Sequence, residues 1–138
     1  MKQLLNLAIL LSLSACAGEP PQNIGNLNGR LALCPDSPNC VCSFETRDRH
    51  QIAPLDANLA AIEKVLLTIN AANIVKAESN YLYVEFTSRI FGFVDDVEFL
   101  YDPLTGVTHV RSASRIGRSD LGVNRRRIET IRSALSTQ

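Results

Sequence analysis

The chain has 138 residues, of which 14 are basic and 14 acidic, and 46% of its residues are hydrophobic. A chain of this length can bury one hydrophobic core but is too short for two, so we expect a single folded domain. The charge balance argues against a nucleic-acid-binding protein, because such proteins carry a basic face that displaces counterions from phosphates.

The first residues have the pattern of a secretion signal. Lys2 gives a short positive start, and residues 4–13 form an almost wholly apolar run that is too short to span a bilayer. The run ends at Leu13-Ser14-Ala15-Cys16, which resembles the lipobox of bacterial lipoproteins; the alternative is an ordinary signal peptide with a cysteine nearby. The resemblance implies a signal peptide over 1–15 and lipid on Cys16. Because Ala17 rather than aspartate follows, it also implies a lipid-anchored protein at the periplasmic face of the outer membrane.

Proline, glycine and asparagine are frequent in residues 16–33, a composition that predicts a flexible tether ahead of one domain over 34–138. Asp56 is a good N-cap for a helix in that domain. Apolar residues then recur at three- and four-residue steps to about Asn70, which predicts an amphipathic helix. A second helix is predicted from about Asn124 to Leu135.

Three cysteines, Cys34, Cys40 and Cys42, lie at the start of the predicted domain. Export to an oxidising compartment predicts a disulfide, and a bridge from Cys34 to Cys40 would close a small turn-rich ring. Cys42 is then odd: it competes with Cys40 for Cys34, stays free and buried, or pairs between molecules. Together with His50 these cysteines have the ligand types of a metal site, but their spacing matches no common zinc pattern, and we expect no metal.

Between the two helices the apolar period changes to two, which predicts strands. Four segments have this pattern: Asn73–Glu78, Tyr81–Thr87, Phe93–Tyr101 and Val107–Ile116. They are expected to form two hairpins, the second around a four-residue loop over Pro103–Gly106. The order helix, four strands, helix predicts an α+β fold in which two helices pack on one face of a four-stranded antiparallel sheet.

The four-residue loop sets the pairing of the second hairpin. Counting back from it, Glu98 faces Arg111, and Asp96 faces Ala113 and lies diagonal to Arg111 and Arg115. These charged residues share the face that points away from the helices. Opposite charges at cross-strand positions attract weakly, so we expect Asp96, Glu98 and Arg111 to form a solvated ladder of ion pairs.

Asp95 does not fit this ladder, because the same register puts it on the apolar face opposite Ser114. An unpaired carboxylate on that face is costly. We therefore expect either a bulge that turns Asp95 outward or a cationic partner. The candidate partners are Arg89, just before the strand, and an arginine of the last segment.

Three successive arginines, residues 125–127, occupy the predicted first turn of the last helix, where the helix dipole disfavours cations. Such a placement predicts anionic partners, for which Asp95-Asp96, Asp120 and an external anion are candidates. Successive helix positions diverge by about 100°, so the three arginines cannot all point to one site. We nevertheless expect Asp95, Arg115 and Arg125 to converge in one electrostatic pocket, to which backbone amides near Asn124 add donors.

No convergent set of catalytic residues is apparent. His50 and His109 are the only histidines, and the predicted register puts His109 on the opposite face from Ser114 and Asp95. The sequence contains no Gly-x-Ser-x-Gly, no His-Glu-x-x-His and no phosphate-binding glycine loop. An enzyme is therefore the less favoured interpretation, and no cofactor is predicted.

Several stretches together resemble the domain-of-unknown-function 1499 family. They are Cys34–Cys40, Phe93–Phe99, Val110–Gly117 and Ser119–Arg125, in this order, and the likeness covers most of residues 34–135. The resemblance implies a class but no mechanism. It marks as family-motif positions Cys34, Cys40, Asp95, Asp96, Glu98, Arg111, Ser114, Arg115, Asp120, Asn124 and Arg125. Cys42 departs from the pattern, in which a serine is expected.

The sequence thus favours a binding or interaction module, with an Asp/Arg/Asn cluster for a polar or anionic group. That group would belong to a small ligand, an envelope component or a protein partner. The candidate binding residues are Arg89, Asp95, Asp96, Glu98, Arg111, Ser114, Arg115, Asp120, Asn124 and Arg125. The alternatives are an envelope hydrolase or transferase that uses Asp95 or Asp96 as acid-base, and an ion-pair network without a ligand.

Overall fold

A computed structural model describes residues 17–137, so the expected signal peptide and Cys16 lie outside the described residues. Its elements are β1 (Cys40–Cys42), α1 (Leu59–Leu66), β2 (Ala72–Ala77), β3 (Tyr81–Thr87), β4 (Val94–Asp102), β5 (Val107–Ser114) and α2 (Val123–Leu135). The strands form one antiparallel sheet in the order β1-β5-β4-β3-β2. This arrangement confirms the α+β class. None of the helices in residues 17–137 combines the length and the apolar character needed to span a bilayer.

The sheet has five strands, so the expectation of four was wrong. The additional strand, β1, pairs with Arg111–Ala113 of β5. A three-residue strand inside a cysteine- and proline-rich stretch has too few residues to show an apolar alternation. The disulfide from Cys34 to Cys40 is confirmed, and Cys42 is free and buried.

The first helix begins later and ends earlier than expected. Its N-cap is Asn58, whose side chain accepts from a backbone amide of the first turn, rather than Asp56. Leu55 exchanges two backbone hydrogen bonds of 2.8 Å with Thr108 of β5. The chain is therefore still extended at Leu55, and the helix can begin only after it has left the sheet.

The predicted register of the β4–β5 hairpin is confirmed. Glu98 pairs with Arg111, Asp96 with Ala113, and Asp95 with Ser114. Side chains along a strand point alternately to the two faces of a sheet. Asp95 therefore lies on the opposite face from Asp96 and Glu98.

Apolar clusters lie on both faces of the sheet. On one face the helices contribute Ile62 and Ile128, which pack with Val97 and Phe99. The cluster on the other face contains Leu31, Cys34, Cys40, Cys42, Tyr81, Tyr83, Leu100 and Ala113. Leu31 precedes the expected start of the domain, so part of the second cluster comes from the N-terminal segment.

Residues 17–33 have no helix or strand, and they run over this second face of the sheet. Leu31 is 2% exposed, and the amide of Gly25 donates to Glu98 Oε1 at 2.7 Å. The segment for which we expected a flexible tether thus contributes contacts to the domain. We call residues 17–33 the covering segment.

Candidate functional site

The sheet separates the charged residues that were expected in one pocket. Asp96 and Arg115 lie under the covering segment, whereas Asp95 lies on the helix-covered face. Arg125 contacts neither group and donates from Nη2 to the carbonyl of Arg49 at 3.1 Å. The expectation that Asp95, Arg115 and Arg125 share one pocket was therefore wrong. The physical reason is the alternation of faces along β4.

Arg115 is the centre of the group under the covering segment. Its Nη2 donates to Asp96 Oδ1 at 2.8 Å, to Tyr83 Oη at 3.0 Å and to Glu85 Oε1. The Arg115 side chain is 5% exposed and that of Asp96 is 1% exposed. These contacts raise the pKa of Arg115, chiefly through the hydrogen bond to Asp96. We call these four residues the Arg115 network.

Glu98 and Arg111 form a second buried pair beside this network. Arg111 Nη1 donates to Glu98 Oε2 at 3.3 Å, while Tyr81 Oη donates to Glu98 Oε1 at 2.8 Å. Burial raises the pKa of Glu98, because the carboxylate loses hydration that these donors do not fully replace. Within residues 17–137, Arg111 Nε has no hydrogen-bond partner.

The solvated ladder that we expected for Asp96, Glu98 and Arg111 was also wrong. These residues are 1%, 0% and 3% exposed. The covering segment excludes solvent from them. Because the composition of that segment predicts a flexible tether, this burial could not be expected from the sequence. A cavity of about 390 Å³ remains beneath it, lined by Arg111 and Arg115 and by the acidic Asp96 and Glu19.

Asn124, in the first turn of α2, is the centre of a separate polar network on the helix side. Its Nδ2 donates to Asp120 Oδ2 at 2.8 Å, to Ser114 Oγ at 3.0 Å and to the Asn39 carbonyl at 3.1 Å. Its Oδ1 accepts from Arg127 Nη1 at 2.7 Å. Asn124 is fully buried, so these bonds satisfy polar atoms that have no access to water.

Asp95 has a partner in the last helix. Arg127 Nη2 donates to Asp95 Oδ2 at 2.5 Å, and the guanidinium lies over the Phe86 ring at 4.6 Å. Arg127 Nη1 also donates to Ser112 Oγ at 3.0 Å. No bulge is present at Asp95, and Arg89, the other candidate partner, is exposed. The Asn124 network comprises Asn39, Asp95, Ser112, Ser114, Asp120, Asn124 and Arg127.

Arg127 is not among the candidate binding residues from the sequence, although it belongs to the run of arginines in the last segment that was a candidate partner of Asp95. The structure confirms that the three arginines diverge: Arg126 donates to the carbonyl of Leu121, and Arg125 to that of Arg49. The position of Arg127 one helical turn after Asn124 was the available signal, because residues three apart share a helix face.

Asp120 caps the start of α2. Its Oδ1 accepts from the Gly122 amide at 2.8 Å, and its Oδ2 accepts from the Asn124 amide at 2.9 Å. Burial alone would raise the pKa of Asp120, but the hydrogen bonds from these amides outweigh it and lower that pKa. Gly122 has a φ of +79°, a conformation that glycine adopts without steric cost.

A cleft opens between the loop before β4 and the loop after β5, and its volume is about 390 Å³. Its apolar lining residues are Phe91, Phe93, Val94, Ile116, Leu121 and Val123. Asp95, Ser114 and Asp120, three members of the Asn124 network, also line it. We call this the loop cleft. Asp95, Ser114 and Asp120 are candidates from the sequence, whereas the cleft itself was not predicted, because Phe91 and Leu121 lie in loops without periodicity.

Neither histidine is close to these carboxylates in a hydrogen-bonded arrangement. His109 shares a hydrogen bond of 3.0 Å with Ser43 and stacks on Phe44 at 4.1 Å between ring centroids. His50 is buried and contacts the Cys40 carbonyl at 2.9 Å through Nδ1. Among the residues that the structure describes, the carboxylates Asp95 and Asp96 are bonded to arginines rather than to histidines.

Two helices on one face of an antiparallel sheet, with a buried polar network at the start of the second helix, define a small α+β domain. A family model described as a protein of unknown function, DUF1499, matches residues 30–135, and the chain belongs to this family. The match begins at Arg30, so it includes Leu31 of the covering segment. No curated protein and no solved structure matches the chain.

Proposed function

We propose that this chain is a lipid-anchored binding module of the bacterial envelope, held at the periplasmic face of the outer membrane by lipid on Cys16. The support for this location is Leu13-Ser14-Ala15-Cys16 and the apolar run before it. Several acyl chains on one cysteine give stable attachment, whereas a single chain gives only marginal binding.

The loop cleft is the binding site in this proposal, and its composition is the observation that carries it. Its volume of about 390 Å³ suits a small ligand. Apolar walls and a few fixed polar groups are the usual composition of such sites. Asp95, Ser114 and Asp120 are held in place by Asn124 and Arg127, so their positions need little further ordering when a ligand binds.

The charges of the cleft favour a ligand that donates hydrogen bonds. The carboxylate of Asp95 is balanced by Arg127, whereas Asp120 is bonded to backbone amides and to the neutral Asn124. The lining therefore carries a negative excess, which opposes an anion. Of the polar and anionic groups that the sequence left open, a hydroxyl or ammonium group attached to an apolar chain fits best.

The Arg115 network and the Glu98–Arg111 pair have a structural role in this proposal. They are buried, and they contact the covering segment through Gly18 and Gly25. Two guanidinium groups there lie among the carboxylates of Glu85, Asp96 and Glu98, which leaves no positive excess for a free anion. The acid-base alternative lacks support, because both of its aspartates are bonded to arginine.

The test is a displacement assay with the uncharged fluorescent probe N-phenyl-1-naphthylamine. The competitors are dodecanol, below its solubility limit, and dodecylamine and dodecanoate, each below its critical micelle concentration. The alcohol and the amine should displace the probe, and the carboxylate should bind at least about tenfold more weakly, or about 1.4 kcal/mol. Equal or stronger binding of dodecanoate would contradict the proposed charge preference.

Two valines provide a matched pair of variants for this assay. Val123 lines the cleft and is 39% exposed, whereas Val75 is 49% exposed on β2. Val123→Ser should weaken probe binding, and Val75→Ser should leave it unchanged. Ser114→Ala should reduce the affinity for dodecanol more than the affinity for the probe. If Val123→Ser and Val75→Ser bind the probe as the wild type does, the cleft is not the site.

A further inference from the structure

Large apolar side chains are exposed at the rim of the loop cleft. Ile90, Phe91 and Leu121 are 85%, 73% and 83% exposed, and Phe93 stacks on Phe91 at 5.5 Å between ring centroids. We call residues 90–93 together with Leu121 the loop tip. Apolar groups gathered in this way on a surface are typical of contacts with another apolar phase.

The N-terminal end of the described chain lies beside the same cleft. Gly18 is so close to Ile116 that a Cβ at Gly18 would come within 2.9 Å of Ile116 Cγ2. Its carbonyl accepts from Arg115 Nη1 at 3.5 Å, and Ile116 lines the loop cleft. Gly18 is two residues after Cys16, and two residues of chain reach about 7 Å at most. Lipid on Cys16 would therefore bring the bilayer to this end of the domain.

Basic residues flank the loop tip. Arg89 immediately precedes Ile90, and Arg118 follows the Ile116-Gly117 pair; both arginines are exposed. Aromatic and basic side chains together are characteristic of protein segments at the interface between lipid and water, where cations attract anionic headgroups. A second copy of the chain fits the tip less well, because a symmetric contact would bring like-charged arginines together.

We propose that the loop tip inserts at the boundary between the headgroups and the acyl chains of a phospholipid bilayer, with Ile90, Phe91 and Leu121 as the side chains that contact the acyl chains. This proposal rests on the proposed anchor at Cys16, and it adds the orientation of the domain relative to the bilayer. The loop cleft opens toward the lipid, from which an amphipathic ligand can enter. The β4–β5 turn, which contains Leu104, lies at the other end of β4 and points away from the bilayer.

The chain contains no tryptophan, so a single introduced tryptophan reports the position of the tip. Phe91→Trp is the test variant, and Leu104→Trp is its control because Leu104 is 95% exposed at the far turn. Each full chain is produced in a Gram-negative host, purified from membranes and reconstituted in vesicles of phosphatidylethanolamine and phosphatidylglycerol. A matched set of vesicles has brominated acyl chains, which quench tryptophan in contact with them.

Brominated lipid should lower the emission of the Phe91→Trp protein about twofold and leave that of Leu104→Trp unchanged. Equal quenching of both, or of neither, would overturn the proposed orientation. Emission that shifts to the blue with rising protein concentration, without vesicles, would show a second copy on the tip and would also overturn it.

Mass spectrometry of the N-terminal peptide tests the anchor separately. If Cys16 carries no lipid, the proposed anchor fails, and the tip is then tested with the same two variants at saturating vesicle concentration. Selective quenching of Phe91→Trp would still support membrane contact by the tip, and its absence would overturn it. Probe displacement from the loop cleft in the absence of lipid remains an independent measure of ligand binding.

Discussion

Arg127 donates to Asp95 across the boundary between α2 and β4, with 2.5 Å between Nη2 and Oδ2. The two side chains are 12% and 13% exposed, so water screens this ion pair only partly. The pair explains both a carboxylate on the apolar face of the sheet and a cation near the start of a helix. Each charge is the partner that the other requires.

Removing the cation should therefore be costly. Arg127→Met leaves Asp95 partly buried without its counterion, and we expect the free energy of unfolding to fall by about 3 kcal/mol. Urea denaturation measures this change. The control is Arg126→Met on the exposed side of α2, which should change stability by less than about 0.5 kcal/mol. If the two substitutions lower the free energy of unfolding equally, the ion pair between Arg127 and Asp95 does not stabilise the fold.

Replacing the Asn124 side chain should destabilise the fold by a similar amount, because Asn124 uses both its donor and its acceptor groups. Asn124→Ala leaves the buried Asn39 carbonyl and the largely buried Arg127 guanidinium each without one partner. We expect the free energy of unfolding to fall by about 3 kcal/mol, measured by urea denaturation. Asn73→Ala on the exposed side of β2 is the matched control. A loss no larger than that of the control would mean that water replaces the side chain.

The register of the β4–β5 hairpin could be predicted to the residue, because the turn chemistry of Pro103–Gly106 and the alternation of apolar residues both act locally. The covering segment could not be predicted in this way. Leu31 and Ile24 pack on a sheet that is distant in sequence, and composition alone does not report such contacts. Glu98 is buried rather than solvated because the covering segment packs over it, and this contact is also distant in sequence.

For the site, the sequence predicted that Asp95 needs a partner, but it did not identify Arg127. Which of the three successive arginines reaches Asp95 depends on the rotation of α2 about its axis as the helix packs on the sheet. In the observed packing Arg127 also stacks on the Phe86 ring. The sequence did predict that Asp95 and Asp96 lie on opposite faces of the sheet, since adjacent strand residues point to opposite faces, and the observed register confirms it. A single pocket that used both was incompatible with the register itself.

The pH dependence of stability should report a further ion pair, in which Arg47 donates to the buried Glu45. The hydrogen bond from Arg47 lowers the pKa of Glu45 to about 2, from an ordinary value of 4.5. A carboxyl group with a lower pKa in the folded state stabilises the fold above its unfolded pKa, and this contribution is lost as the pH falls toward its folded pKa. Stability should therefore decrease from about pH 5 to about pH 2.

Glu45→Gln should make this acid-dependent loss smaller, and Arg47→Gln should do the same because it removes the cause of the shift. The double variant should show no further change. Glu98 acts in the opposite sense, because burial raises its pKa and its contribution to stability falls as the pH rises above the unfolded value. The comparison is therefore made between variants, by urea denaturation at each pH. If the free energy of unfolding depends on pH in both single variants as it does in the wild type, the acid-dependent loss does not come from the Glu45–Arg47 pair.

The disulfide from Cys34 to Cys40 should hold the covering segment as well as stabilise the domain. The cysteines are six positions apart, and closing so short a loop stabilises a fold by about 2 kcal/mol in the chain-entropy account. Replacing both with serine should lower the free energy of unfolding by this amount. It should also speed proteolytic cleavage within residues 17–33, because Cys34 follows the buried Leu31 by three residues and its amide donates to Glu45.

The control is treatment with a reducing agent, which should reproduce both effects in the wild type and cause no further change in the double variant. Cys42 is free and buried, and burial raises its pKa, so it should remain unlabelled by maleimide in either folded protein. Cleavage that accelerates only in step with global unfolding would show that the bridge stabilises the domain as a whole. Cleavage that accelerates under conditions where the domain stays folded would show that it holds the covering segment on the sheet.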